Sequence, residues 1–129
     1  MNLTTRISLL ALSLLALASA PALADNKNDE AMKSIAAKAG CVTCHAIESG
    51  AKGPDGLSPI GPPWTDVAIR YKGDKAAQKR LLDEVMLGTS PYLRHWAGKA
   101  SGVAMPPNAV AISEPDAKKL VNWILKLAK

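Results

Sequence analysis

Apolar residues recur at helical spacing over the last part of the chain. Between residues 113 and 127 an apolar residue occurs every three or four positions, a period typical of a helix that buries one face. Ser113 and Asp116 stand before it in a Ser-x-x-Asp arrangement, which predicts a capping box. The pattern therefore predicts a helix with Trp123 at the edge of a buried stripe formed by Ala117, Leu120, Val121, Ile124 and Leu127.

Three earlier segments also have helical patterns, and each ends at a glycine. Short polar residues precede or open two of them, as expected of helix N-termini. The predicted helices span 29–40, 65–73 and 74–88, with stops at Gly40, Gly73 and Gly88 and starts at Thr65 or Asp66 and at Asp74.

No segment of useful length alternates apolar and polar residues as a strand would, so the sequence predicts one all-α domain. Two irregular stretches, 49–64 and 88–112, separate the helices. Loops as long as the second are uncommon in compact domains unless they have a function.

The N-terminus has the pattern of a secretory leader. Arg6 precedes an apolar run over residues 7–20, and Ala22-Leu23-Ala24 is a small-x-small cleavage pattern. We expect a signal peptide over 1–24, cleaved before Asp25, with residues 25–129 as the mature domain. The alternative, an uncleaved membrane anchor, is disfavoured because the run is short for a membrane span. Export predicts a periplasmic or extracellular location.

Composition adds two constraints on the mature domain. Removal of 24 residues from 129 leaves 105 and takes away only one charge, so 15 basic and 11 acidic residues give a formal net charge of +4. The lysines are dispersed and aromatic residues are few, which disfavours nucleic-acid binding. Phenylalanine is absent. A domain this small has little interior of its own, so a cofactor could fill its centre.

The segment "CVTCH", residues 41–45, concentrates the metal-ligand chemistry. On a helical turn, positions i, i+3 and i+4 share one face, so Cys41, Cys44 and His45 point the same way. A redox dithiol would normally lie in a βαβ pattern, and zinc would need further ligands. Cys-x-x-Cys-His is the attachment signature of haem c, with two thioethers and an axial imidazole. We therefore predict one covalently bound haem c.

The second axial ligand has several candidates. Met32 and Met86 lie in helical segments, where methionine is usually part of the core. Met105 lies in the long loop, and the two prolines that follow it stiffen the backbone. His95 is the alternative ligand, and an open sixth position is another possibility. A thioether would favour ferrous iron and fill the site, as an electron carrier requires, which favours Met105.

Four segments, "CVTCHAI", "IGPPWTDVAIRYKG", "MPPNAV" and "KKLVNWILK", resemble in order and spacing the small bacterial class I cytochromes c of the five-fifty-one type. The resemblance implies four to five helices around one haem, with the first and last crossing. It also implies a monomeric periplasmic electron carrier, not an enzyme, that has no stable membrane anchor. Its implied partners are redox proteins such as a nitrite reductase, a terminal oxidase or a bc1-type complex.

The resemblance also implies roles for three further residues. The Pro62 carbonyl would accept the free N–H of the axial histidine, Asn108 would lie near the methionine sulfur, and Trp96 would reach a haem propionate. Two features depart from the family: the stretch 96–105 is long, and Glu84 stands where some relatives have a basic residue near a propionate.

An exposed haem edge would provide the electron-transfer surface. Small or apolar residues are predicted to frame it, with lysines outside: Val42, Ile60, Pro63 and Val103, then Lys52, Lys72 and Lys99. Two alternatives remain open from the sequence: a haem c subunit bound permanently to a dehydrogenase or sulfur-oxidising complex, and a sensor or peroxidatic protein with an open haem site.

Overall fold

The computed structural model describes residues 21–53 and 55–128, with side chains from Asn26 onward. Its elements are α1 (Pro21–Lys38), a 3-10 turn (Cys41–Thr43), α2 (Trp64–Arg70), α3 (Ala77–Leu87) and α4 (Glu114–Leu125). These residues contain no β-strand, only an isolated bridge between Ala97 and Ala100. The all-α prediction is confirmed.

The predicted signal peptide lies outside the described residues over positions 1–20, and α1 as described begins at Pro21. Within the described part of the chain, no helix combines the length and apolar character needed to cross a membrane.

Helix α4 is the centre of the packing, because α1, α2 and α3 all contact it. The predicted stripe is buried, Leu127 only partly, and Trp123 joins it at 5% exposure instead of lying at an edge. The Trp123 indole meets Trp64 edge-on, with ring centroids 5.8 Å apart. Its Nε1–H donates to Asp29 Oδ1 at 2.7 Å, which joins α4 to α1. The helices thus enclose a core that includes Met32.

Five residues predicted to mark helix boundaries lie within three positions of the observed helix ends, and each has a local physical role there. Gly40, Gly73 and Gly88 all have positive φ, where glycine alone is unstrained. The Ser113 hydroxyl accepts the Asp116 N–H at 3.3 Å, so the predicted cap of α4 is confirmed. The Asp74 carboxylate accepts the Ala76 N–H at 2.8 Å just before α3 begins.

The predicted side-chain cap of α2 is wrong. The helix begins at Trp64, with Pro63 at the capping position, and no side chain caps it. The first N–H groups of α2 instead donate to the backbone carbonyls of residues 46 and 47, at 2.9 and 3.0 Å. The side chains of Thr65 and Asp66 both bond the Ser49 hydroxyl. A neighbouring loop therefore supplies the hydrogen-bond partners for the N-terminus of α2.

The two irregular stretches are hydrogen-bonded to each other. The N–H groups of Ser101 and Gly102 donate to the carbonyls of Pro59 and Ile60, both at 2.9 Å. A Cβ at Gly102 would lie 2.6 Å from the Ile60 carbonyl oxygen, so no side chain fits at this approach. Residues 88–112 are thereby held beside the segment that follows the cysteines.

Candidate functional site

An apolar cleft of about 230 Å³ opens between the cysteine turn, the helices α2 to α4 and the long loop. A cavity of about 150 Å³ is large enough for benzene, so this one accepts a larger aromatic group. All seven residues predicted to contact a cofactor line it: Cys41, Cys44, His45, Pro62, Trp96, Met105 and Asn108.

The cysteine turn presents its ligands together. The N–H groups of Cys44 and His45 both donate to the Cys41 carbonyl, at 3.2 and 3.0 Å, which closes a single helical turn. Both thiols are free and half-buried. Burial raises the pKa of the Cys41 thiol, the nearby Cys44 adds to this, and a backbone hydrogen bond opposes it.

The His45 imidazole has a defined tautomer. Its Nδ1 lies 2.8 Å from the Pro62 carbonyl oxygen, and a carbonyl only accepts, so Nδ1 carries the proton. Nε2 therefore keeps its lone pair for a metal. Burial lowers the pKa of His45, and the Pro62 hydrogen bond opposes this effect only in part. The lowered pKa favours the neutral imidazole. This is the hydrogen bond expected between His45 and Pro62.

Two neighbours fix the plane of the His45 ring. Trp64 stacks against it, with centroids 5.9 Å apart and an interplanar angle of 22°. The backbone of Gly61 lies so close to the ring that a Cβ on this residue would be 2.4 Å from His45 Cε1. The lack of a side chain at Gly61 is thus a requirement of the site, which the sequence reading did not identify.

Met105 is fastened to the end of α3. Its carbonyl accepts the Thr89 N–H at 2.9 Å, and its own N–H donates to the Thr89 hydroxyl at 2.8 Å. Thr89 was missed in the sequence because nothing local marks a contact 16 residues away. Three residues on, the Asn108 side chain donates to the carbonyls of Val85 and Pro106, at 3.2 and 2.7 Å. These bonds assign Asn108 a part in bracing the loop.

The other candidate methionines are elsewhere. Met32 is in the core and Met86 packs against it, as predicted, and neither lines the cleft.

Trp96 and His95 reach the cleft from the long loop. Trp96 is half-buried and His95 is exposed. The Arg70 guanidinium lies 4.9 Å from the Trp96 ring centroid and donates to the His95 carbonyl at 2.7 Å, which ties this loop to α2.

Glu84 places an acidic side chain in the cleft wall. Its carboxyl group is half-buried, and burial raises its pKa although His95 and Arg80 act in the opposite direction. The departure noted in the sequence therefore falls inside the site.

The rim of the cleft includes exposed apolar residues. Ile60 and Val103 line the cleft and are 53% and 59% exposed, whereas Val42, 50% exposed, lies on the cysteine turn and does not line the cleft. Pro63, expected among them, is buried. It directly precedes the buried Trp64 at the start of α2, so helix packing draws it inward.

The residues present fit an iron porphyrin. A neutral imidazole offers a free nitrogen and a thioether lines the same apolar cleft, while two thiols stand on one turn. No group of three or more acidic, cysteine or histidine side chains among the described residues is arranged to hold a bare metal ion.

Comparisons with known proteins agree with this description. The sequence profile of the family described as "Cytochrome c" matches residues 20–128. Cytochrome c-551 of Allochromatium vinosum is 41% identical over 93 residues, which cover 72% of this chain and 82% of that protein. Cytochrome c-552 of Hydrogenobacter thermophilus is 31% identical over 97 residues, 75% of this chain and 82% of the relative.

Solved structures also match. The crystal structure of Nitrosomonas europaea cytochrome c552 aligns with a TM-score of 0.56 at 32% identity, covering 74% of this chain and 98% of that one. The class 1 cytochrome MtoD from Sideroxydans lithotrophicus aligns with a TM-score of 0.53 at 27% identity, covering 78% and 97%. These matches confirm the resemblance to class I c-type cytochromes and the fold it implies.

Proposed function

Because the chain belongs to the cytochrome c family, whose members carry one covalently attached haem c, we propose that it is a one-electron carrier between redox proteins of the periplasm. The observation that supports this most directly is the meeting of the Cys41–His45 turn and Met105 in one apolar cleft. The bound haem supplies reversible Fe(III)/Fe(II) chemistry. The chain supplies attachment, axial ligands and a low-dielectric surrounding.

Attachment is assigned to Cys41 and Cys44. The turn that carries them lines the cleft, and their half-buried thiols sit at its wall. Two thioethers would consume both thiols, so the mature protein would have no free thiol in an oxidising compartment.

The proximal ligand is assigned to His45. The Pro62 carbonyl accepts a hydrogen bond from Nδ1–H, so Nε2 is free to bind iron, and the hydrogen bond makes the ring a better donor to iron. The stacked Trp64 and the backbone of Gly61 leave the ring little freedom to turn.

The second ligand is assigned to Met105. Its backbone is bonded at both N–H and C=O, so little entropy would be lost when its sulfur binds iron. Six-coordination would leave no position for oxygen or a substrate, which favours electron transfer over catalysis.

Partner recognition is assigned to the rim of the cleft. Ile60 and Val103 present exposed apolar surface there, and Val42 is exposed on the cysteine turn. Lys52 and Lys72 are also exposed. Lys99 is paired with Asp66 at 3.6 Å. A small apolar rim on a domain of net positive charge suits brief docking on an acidic face of a terminal oxidase, nitrite reductase or bc1-type complex. The leader pattern over residues 1–24 supports the periplasmic location.

The test compares two volume-conserving substitutions, Met105→Leu and Met86→Leu. Met105→Leu should abolish the sulfur–iron charge-transfer band of the oxidised protein, lower the reduction potential and allow the reduced protein to bind carbon monoxide. Met86→Leu should change none of these, because Met86 does not line the cleft. An unchanged spectrum in Met105→Leu would exclude this ligand, and loss of the native spectrum in His95→Ala would then identify His95.

A further inference from the structure

Thr89 contacts Met105 through both backbone and side chain. Its N–H donates to the Met105 carbonyl at 2.9 Å, and its hydroxyl oxygen accepts the Met105 N–H at 2.8 Å. The two residues are 16 positions apart. Among the described residues, no other hydrogen bond to the Met105 backbone is found.

The turn that ends α3 brings Thr89 and Met105 close together. Gly88, which ends α3, has a φ of 80° and a ψ of 177°, a region that is essentially limited to glycine. A Cβ at Gly88 would lie 2.9 Å from the Met105 carbonyl oxygen. The chain therefore turns out of α3 directly against Met105, and this turn places the Thr89 hydroxyl beside the Met105 N–H.

The far side of the segment is fastened separately. After two prolines, the Asn108 N–H donates to the Val85 carbonyl at 3.1 Å. Residues 105–108 are thus held at one end by Thr89, just after α3, and at the other by Val85 within α3. Of the two attachments, only that of Thr89 acts on the methionine itself.

We propose that Thr89 is a positioning residue. Its hydroxyl would hold Met105 on the haem iron and so keep the sixth coordination position closed to other ligands. This proposal rests on the assignment of Met105 as the axial ligand. Without the hydroxyl, the Met105 N–H loses its partner in the closed form but can bond water when the loop moves away. The loss therefore favours the open form.

The measurement is the binding of imidazole to the oxidised holoprotein, followed through its absorption spectrum. Imidazole competes with the sulfur, so its apparent affinity is proportional to the fraction of protein with the site open. Loss of one hydrogen bond should raise that affinity about fivefold. Thr89→Val keeps the shape and the backbone N–H but removes the hydroxyl, so it should show this increase. Thr89→Ala provides the same test if the valine variant does not accumulate.

Two controls separate positioning from general loosening. Thr89→Ser retains the hydroxyl and should bind imidazole as the unmodified protein does. Ser101→Ala removes another hydroxyl contact of the same loop, 3.3 Å from the Pro59 carbonyl, and should leave imidazole affinity unchanged. An equal affinity in Thr89→Val and the unmodified protein would overturn the proposal.

Repeating the measurement in a Met105→Leu background identifies the route of the effect. There the substitution of Thr89 should have no further consequence, because the ligand on which it acts is gone. A persistent fivefold effect would overturn the proposal, since Thr89 would then act on the cleft directly. If Met105→Leu alone alters neither imidazole affinity nor the charge-transfer band, the ligand assignment itself fails, which is a different result from an inert Thr89.

Discussion

Gly61 offers a sharp test of how the protein holds His45, because its backbone lies directly against the imidazole. In Gly61→Ala, the new Cβ would be 2.4 Å from Cε1 and 2.7 Å from both ring nitrogens. Gly61 does not have a positive φ, so alanine brings no backbone strain. The whole effect must come from this one contact.

The magnitude follows from the distances. An ordinary contact begins near 3.4 Å, so the ring must retreat by about 1 Å. Such a shift would stretch the 2.8 Å bond to the Pro62 carbonyl beyond hydrogen-bonding range. Overpacking costs about 1–3 kcal/mol and the lost hydrogen bond about 1 kcal/mol. The free energy of unfolding should fall by about 2–4 kcal/mol, which lowers the melting temperature of a domain of this size by roughly 8–16 °C.

The assay is thermal unfolding of the oxidised holoprotein, with Gly53→Ala as the matched control. Gly53 also lacks a positive φ. A Cβ there would lie 3.1 Å from the exposed Asp55 carboxylate, which can move aside, and at an ordinary contact distance of 3.8 Å from the Leu57 carbonyl oxygen. The melting temperature of Gly53→Ala should lie within a few degrees of that of the unmodified protein. If Gly61→Ala and Gly53→Ala have the same melting temperature, the close contact between Gly61 and the His45 ring does not matter for stability and the reasoning is wrong.

Two further predictions concern the C-terminal part of α3 and the turn that follows it. Gly88→Ala should lower the free energy of unfolding by about 2–4 kcal/mol, measured by chemical denaturation, because it adds backbone strain to a clash with the Met105 carbonyl. Gly73→Ala, with positive φ but open space around it, should cost only about 1–2 kcal/mol, and equal losses would refute the clash. The folded-state pKa of Glu84 is raised, so the folded protein retains a proton longer than the unfolded chain. The free energy of unfolding of the unmodified protein should therefore decline, relative to that of Glu84→Gln, as the pH rises from about 4.3 through the higher folded-state pKa. Parallel stability–pH curves for the two proteins would contradict this.

The features that the sequence determined are those encoded within one or two helical turns. The cysteine spacing placed two thiols and an imidazole on a single turn, the apolar stripe marked the buried face of α4, and Ser113 supplied its cap. These interactions join residues at most a few positions apart, so they depend on local geometry alone. The family resemblance added Pro62, whose contact with His45 spans 17 residues and has no local signal.

The tertiary structure decided what lies far apart in the chain. It capped α2 with carbonyls from residues 46 and 47 in place of the expected side chains, and it buried Pro63 beside Trp64. It also set the Thr89 hydroxyl on the Met105 N–H and a bare glycine against the His45 ring. The sequence could name candidate ligands because their chemistry belongs to single residues. How firmly each is held depends on neighbours that only the packing of helices and the closure of long loops bring together.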